Sequence, residues 1–268
     1  MIRVGVLGAG GRMGQQVCQA VAADPDLELV TAVDPRLAGI DLRQVAGVDA
    51  SGLLVAGGVE ALERSGAQVA VDFTVAEAAA EHMRWCAAHD VHAVVGTTGI
   101  GDGVLAELAT AFEHSGANCV VAANFAIGAV LMMRFAELAA PFMDSVEIIE
   151  LHHDGKVDAP SGTALQTAER LARARSAQAG PWPADRTTSE VVTGARGGTG
   201  PGGVHIHSVR LPGLVAHQEV LFGAGGQSLS IRHDAYDRTS FMPGMLLAVK
   251  AVAGQPGLTV GLDALLGF

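Results

Sequence analysis

Cysteine is scarce. The chain has three in 268 residues, Cys18, Cys86 and Cys119, far apart and without a Cys-x-x-Cys pair. That excludes a disulfide framework or a zinc ribbon and favours a reducing compartment. Basic residues are also in short supply, with 17 Lys and Arg against 28 Asp and Glu and a net charge of −11. Such a surface repels phosphate backbones and argues against nucleic acid as a partner, while a small anionic ligand still suits a site where basic groups gather locally. No apolar run reaches membrane-spanning length and no basic segment precedes an apolar one, so the sequence predicts a soluble, cytoplasmic protein with no membrane partner. Aromatics are only 4%. What is plentiful is apolar residues, at 49%, and glycine, at 35 positions, enough for a sizeable core with many tight turns.

The first half alternates short β-branched runs with helical periodicity. Ile2 to Leu7, Leu27 to Val33, Val69 to Phe73, Ala93 to Val95 and Cys119 to Ala122 read as strands. Met13 to Ala23, Ala76 to His89 and Val104 to Ser115 read as helices, and Arg36 to Val59 carries no clear pattern. Strand–helix alternation predicts βαβ units and a parallel sheet covered on both faces. After about Asn124 the pattern changes. A helix over Ile127 to Pro141 and a strand over Val146 to Leu151 lead into a polar loop and a helix from Ser161 to Ala174. Three further β-like runs follow, Val204 to Leu211, Leu214 to Phe222 and Ser228 to Arg232, predicting a largely antiparallel sheet. Ala195 to Gly203 is too glycine-rich for regular structure and reads as a mobile loop, and a helix over Thr239 to Val252 follows the sheet. The expected fold class is α/β: a Rossmann-like parallel-sheet domain plus a smaller α+β domain.

Gly8-Ala9-Gly10-Gly11-Arg12-Met13-Gly14 follows a strand and opens a helix. Glycines there let the backbone turn tightly and approach a pyrophosphate, which the helix N-terminus then holds. The G-x-G-x-x-G spacing fails because Met13 stands at its third glycine; G-x-x-G-x-x-G on Gly8, Gly11 and Gly14 fits. Asp34 ends the second strand, where a carboxylate accepts from the adenosine ribose. The alternative is an ordinary strand-to-helix turn, but strand, glycines, helix and acid in this order predict dinucleotide binding. Asp34 favours NADH, while Arg36 and Arg12 are placed to offset a 2′-phosphate, so both NADH and NADPH are expected to work, NADH slightly better.

The segment Glu150-Leu151-His152-His153-Asp154-Gly155-Lys156-Val157-Asp158-Ala159-Pro160-Ser161-Gly162-Thr163 is the most informative. Histidine exchanges protons near neutral pH and lysine donates one. Ser161-Gly162-Thr163 opens a helix, a natural place for a carboxylate. By itself the segment fits a solvated loop with a Ser cap equally well.

Here the chain resembles the 4-hydroxy-tetrahydrodipicolinate (dihydrodipicolinate) reductase family. ELHH-x-x-K-x-DAPSGTA looks like its signature. GAGGRMG, Val71 to Thr74, Gly96-Thr97-Thr98-Gly99, Ala122-Ala123-Asn124-Phe125, Ala216 to Val220 and Arg238 to Phe241 match in order over nearly the whole chain. The resemblance implies reduction of a small cyclic dicarboxylate by hydride from NADH or NADPH, in lysine and diaminopimelate biosynthesis. It implies His152 as proton donor/acceptor and Lys156 as second proton donor. It implies cofactor contacts from Gly8, Ala9, Gly10, Gly11, Arg12, Met13 and Asp34, with Gly96, Thr97, Thr98, Ala122, Ala123, Asn124 and Phe125 toward the nicotinamide. It implies substrate contacts from His153, Lys156, Ser161, Gly162 and Thr163. It also implies a dinucleotide-binding domain over 1–124 and 236–268, a substrate and oligomerisation domain over 125–235, and a homotetramer.

Competing readings are a semialdehyde or homoserine dehydrogenase, and a non-catalytic dinucleotide sensor. The semialdehyde enzyme needs a nucleophilic cysteine, and Cys119 falls in a predicted buried strand and Cys18 and Cys86 in helices; a sensor has no use for clustered proton donors. His205 and His207 share a strand face, yet no acid stands at ligand spacing in sequence, so no metal is expected. Met132 and Met133 read as core, and Arg196 as either a lid residue or a solvated charge.

Overall fold

A computed structural model describes residues 1–49 and 52–268, and it divides into two compact units, Met1–Phe125 with Arg238–Phe268, and Ala126–Asp237. In the first unit the elements are β1 (Ile2–Leu7), α1 (Arg12–Ala23), β2 (Leu27–Val33), α2 (Leu42–Ala46), α3 (Ala61–Arg64), β3 (Val69–Asp72), α4 (Ala76–Ala88), β4 (His92–Val95), α5 (Asp102–Glu113) and β5 (Cys119–Val121). The second unit holds α6 (Ile127–Ala139), β6 (Ser145–His152), α7 (Gly162–Gln178), β7 (Gly198–Thr199), β8 (His205–Arg210), β9 (Ala216–Ala224) and β10 (Gln227–Ala235). The chain then returns to the first unit with α8 (Met242–Ala251) and β11 (Leu258–Val260).

The first sheet runs β11-β5-β4-β3-β1-β2, and every pairing in it is parallel. Strands buried on both faces need continuous apolar runs, which is what Val4–Leu7 and Val69–Val71 supply. Beneath the helices the core gathers Leu7, Leu62, Met83, Leu108 and Phe112, all essentially buried. Side chains of that size each contribute about 1.5–3 kcal/mol on burial. β2 and β3 lie on opposite sides of β1, so the order reverses at the carboxyl end of β1. In open α/β sheets that reversal leaves a crevice for ligands. The Arg36–Val59 stretch contains α2 and two isolated bridges, Val33 to Ala56 and Asp41 to Leu54. β11 had no sequence expectation: three residues give no measurable alternation, and its pairing with β5 is entirely non-local.

The second sheet runs β10-β9-β6-β8-β7. It is mixed and mostly antiparallel; the β6–β8 pairing is parallel, against the simpler expectation. Val146, Ile148, Val220 and Phe222 are buried on one face, and the inward residues of α6 (Val130, Met133, Ala136) and α7 (Ala164, Ala168, Leu171) are buried with them. Met132 is buried too, as expected. α7 starts cleanly because Ser161 Oγ accepts from the Ala164 amide at 3.2 Å, and it ends ahead of Gly180 and Pro181. The glycine-rich stretch is more ordered than its composition suggests. Gly198–Thr199 pairs antiparallel with β8, and a Cβ on Gly197 would sit 2.7 Å from the Ile206 carbonyl. Glycine is used here for close approach as well as for turning. Arg196 pins the stretch, donating to Asp185 at 3.1 Å and to Glu147 at 2.5 Å. Its two ion pairs mean that Arg196 is not a free solvated charge.

Candidate active site

In the first unit the loops named by the sequence motifs all sit at the carboxyl ends of strands. Gly8–Gly11 follows β1, Asp34 follows β2, Phe73–Thr74 follows β3, Gly96–Gly99 follows β4 and Ala122–Phe125 follows β5. Gly8 has φ +79°, and its carbonyl lies 2.0 Å from where a Gly14 Cβ would be. Gly14 therefore performs the helix-packing role of the third glycine, one position later than the usual spacing places it. Gly11 opens α1 with no side-chain cap, which leaves first-turn amides at the positive end of the helix dipole for an anion. Asp34 turns back onto the loop, its Oδ2 accepting from Gly10 N at 3.0 Å and its Oδ1 from Arg36 N at 3.0 Å. Arg12 and Arg36 are exposed. A cleft of about 540 Å³ lined by Gly10, Gly11, Asp34, Arg36, Thr74 and His82, among others, runs along these turns.

Beneath the cleft a polar network joins the Val71 to Thr74 and Gly96 to Gly99 motifs to His82 on α4. Asp72, 2% exposed, accepts from Thr74 N at 2.8 Å, Thr74 Oγ1 at 2.6 Å and Thr97 Oγ1 at 3.3 Å, and its Oδ2 lies 2.6 Å from His82 Nδ1. One buried carboxylate thus fixes both the β3 turn and the start of the Gly96–Gly99 turn. A Cβ at Gly96 would run into the Phe73 ring, which itself packs on Phe125 at a centroid distance of 5.8 Å.

In the second unit the polar loop leaves β6 at His152 and enters α7 at Gly162. Strand side chains alternate, so Glu150 and His152 share a face. His152 Nδ1 is 2.5 Å from Glu150 Oε2. Arg210, paired with His152 across the parallel β6–β8 register, grips Glu150 with two hydrogen bonds of 2.8 and 2.7 Å and also donates to the Asp158 carbonyl at 2.8 Å. Glu150 takes a fourth bond from Ser161 N at 3.2 Å and is fully buried. Burial opposes its ionisation, but Arg210, the Ser208 hydroxyl and His152 outweigh it and hold the carboxyl below its usual range. For His152 burial dominates; with help from nearby Lys156 and Arg210 it pushes the imidazole below its usual value, against Glu150 pulling upward. Lys156 Nζ lies 2.8 Å from both oxygens of Asp158. Gly162 is exposed, and a Cβ added there would meet no atom within 4 Å, so a ligand can reach the backbone at the start of α7. Ser161 differs from its expected role: it is buried, and its Oγ is committed to the α7 cap.

Comparison with known proteins places this arrangement. Family models described as "Dihydrodipicolinate reductase, N-terminus" and "Dihydrodipicolinate reductase, C-terminus" match residues 2–125 and 128–266. The chain belongs to the dihydrodipicolinate reductase family. A relative named 4-hydroxy-tetrahydrodipicolinate reductase from Cutibacterium acnes is 51% identical over 100% of both chains. One of that name from Nocardia farcinica is 50% identical over 99% of this chain and 98% of its own. The solved structure of a dipicolinate-bound dihydrodipicolinate reductase from Paenisporosarcina sp. TG-14 superposes with a TM-score of 0.86 at 41% identity, covering 98% of this chain and 99% of that one. An amine dehydrogenase from Mycobacterium smegmatis, at 17% identity and a TM-score of 0.65, shares the fold alone.

The competing chemistry also lacks its reagents. Cys18, Cys86 and Cys119 are all buried, and burial drives the Cys18 thiol up to about 12 and the other two higher than usual, so none is poised as a nucleophile. His205 and His207 do have acidic neighbours, contrary to the linear reading. Asp185 lies 3.3 Å from His205 and Glu147 2.7 Å from His207, both brought in from distant sequence. No group of three or more His, Cys, Asp or Glu arranged to hold a metal occurs among the described residues.

Proposed function

We propose that His152 and Lys156 carry the proton chemistry of the family's reaction in this chain, the reduction of 4-hydroxy-tetrahydrodipicolinate to tetrahydrodipicolinate with NADH or NADPH. Nicotinamide-dependent reductase activity in lysine and diaminopimelate biosynthesis is the activity of the family to which the chain belongs. One observation carries the residue assignment: a single loop gathers an imidazole, an ammonium and the opening of a 17-residue helix.

The residues of the first unit fit the cofactor. The Gly8–Gly14 loop has no room for a Cβ at its tightest point and an uncapped helix start for a pyrophosphate. Gly8 to Met13 and Asp34 would hold the adenosine and pyrophosphate part, and Gly96, Thr97, Thr98 and Ala122 to Phe125 the nicotinamide part. When bound, the nicotinamide supplies the hydride. Gly162 and Thr163 hold a substrate carboxylate at the start of α7, which the Ser161 cap keeps in place, and His153 and Lys156 bind from the loop. His152 gives the proton that balances the hydride.

Both cofactors are used, with NADH modestly ahead. Asp34 disfavours a 2′-phosphate, while the exposed Arg36 guanidinium makes no hydrogen bond to any described residue and remains able to meet one. The two-unit division supports reading 1–124 with 236–268 as the dinucleotide domain and 125–235 as the substrate and oligomerisation domain. A homotetramer built through the second sheet is supported by its helix-free face, where Ile149, Leu151 and Val209 are only half-buried and Leu221 is 40% exposed. No helix among the described residues is long and apolar enough to cross a membrane, and a cytoplasmic location suits a biosynthetic enzyme.

The test is loss of reduced cofactor with the ring substrate generated enzymatically. Turnover should require that substrate, and pyridine-2,6-dicarboxylate should inhibit competitively against it. Turnover with a semialdehyde but not with the ring dicarboxylate contradicts the reading.

A further inference from the structure

The contacts around His152 point beyond its own role. A carboxylate with no exposed surface is costly to ionise, and here it accepts from Arg210 twice, Ser161 N and His152 Nδ1, with the Ser208 hydroxyl as a further partner. The geometry is set by the fold. Glu150 and His152 are two apart on β6 and so share a face, while Arg210 reaches that face from β8 in register with His152. An ionised carboxylate only accepts, so the bond at 2.5 Å requires hydrogen on Nδ1. The same bond leaves His152 Nε2 without a hydrogen-bond partner among the described residues, on a side chain 16% exposed.

We propose that Glu150, held by Arg210, is the positioning residue that fixes the tautomer of His152, so that Nε2 is the nitrogen that carries the transferred proton. The proposal rests on the reading of His152 as proton donor. In the step, the imidazolium releases the Nε2 proton to the ring that has taken the hydride. It is left as neutral imidazole with hydrogen on Nδ1, Glu150 stays a carboxylate throughout, and solvent returns the proton to Nε2. Without the carboxylate the ring is free to turn and to release either proton, so the Nε2 proton is no longer the one held for transfer. Arg210 has a second effect. Its bond to the Asp158 carbonyl ties the far end of the Lys156 loop to the group that orients His152, so both proton donors hang on one ion pair. The charged groups facing His152 are Glu150 from β6, Arg210 from β8 and Lys156 from the loop; β9 presents only Ala216 opposite it.

Long-range ¹H–¹⁵N NMR of the full-length protein labelled at histidine, with the His152 signal assigned from His152→Gln, reads the tautomer directly. Neutral His152 should carry its hydrogen on Nδ1. In Glu150→Gln that preference should be lost, kcat should fall roughly tenfold or more, and KM for the ring substrate should stay within about twofold. The alkaline limb of the kcat profile should move to lower pH, because removing the negative charge makes imidazolium easier to deprotonate. If Glu150→Gln fails to fold, the native spectrum still decides. Hydrogen on Nε2 in the native protein overturns the proposal, as does a Glu150→Gln enzyme with native kcat and pH profile. The failures are separable: an inactive His152→Gln with the native hydrogen on Nε2 rejects Glu150 alone, whereas a fully active His152→Gln rejects the reading of His152 itself.

Discussion

Replacing Gly14 by alanine is a small change at the tightest point of the cofactor loop. The added Cβ would stand 2.0 Å from the Gly8 carbonyl oxygen, 2.7 Å from its carbon and 2.9 Å from Ala9 Cα, all backbone atoms. Real Cβ contacts essentially never fall below 3.0 Å, so α1 must retreat from β1 by about 1 Å. That movement has two readouts. Overpacking costs about 1–3 kcal/mol of stability, roughly 2–12 °C in Tm for a domain of this class. The first-turn amides retreat with the helix, and losing one charge-assisted hydrogen bond to a pyrophosphate is worth about 1.5–3 kcal/mol, roughly 10- to 150-fold in Kd. Fluorescence titration with NADH and a melting curve measure both. Gly103→Ala is the control, because its Cβ meets nothing within 4 Å and it lies in α5, away from the loop. Gly14→Ala with native cofactor Kd and native Tm would refute the steric account of the loop.

Three further outcomes are expected. Thr163→Val, which keeps shape and removes the hydroxyl, should weaken pyridine-2,6-dicarboxylate by about 1.5–3 kcal/mol and monocarboxylate analogues far less; equal losses for both would show that no carboxylate clamp exists there. Arg36→Ala should lower kcat/KM for NADPH by roughly tenfold or more and for NADH only slightly, and the reverse order would mean that Arg36 serves the adenosine ribose of both. Burial depresses the pKa of His92, His152 and His233 in the folded protein below the ordinary 6.5, so their neutral forms stabilise the fold above that value. That stability is lost as pH falls through the folded values, with the lowered Glu147 and Glu150 adding losses of the same sign at still lower pH. Tm should drop between pH 7 and 5, and a Tm that rises on acidification contradicts the assignment.

Much of the fold was readable locally. The valine-rich runs of β1 and β3 and the Ser161 cap of α7 signal their own structure, and the family motifs appear as contiguous words. What stayed hidden depends on long-range pairing. β11 is three residues whose partner lies well over a hundred positions away, and β8 joins β6 in parallel although the turn signals around it suit hairpins. The acids beside His205 and His207 arrive from a loop and from a neighbouring strand, which spacing along the chain does not reveal. Asp72 lay inside a predicted strand and a family motif with no role of its own, yet it holds the β3 turn and the Gly96–Gly99 turn together. Glu150 was the most accessible of the omissions. It stands two residues before His152 in a predicted strand, and alternation alone puts the two on one face; the Arg210 that stabilises it came only with the sheet register.

The most direct measurement of the central claim is the turnover of His152→Gln, followed as oxidation of reduced cofactor with the ring substrate generated in place. His152 ends a strand and is partly buried, and glutamine keeps an amide that can donate to Glu150, so the variant should fold, melt close to the native protein and bind NADH normally. Its kcat should fall by roughly 10²- to 10⁴-fold, the usual worth of general acid–base catalysis. A folded variant that turns over at the native rate would contradict the account.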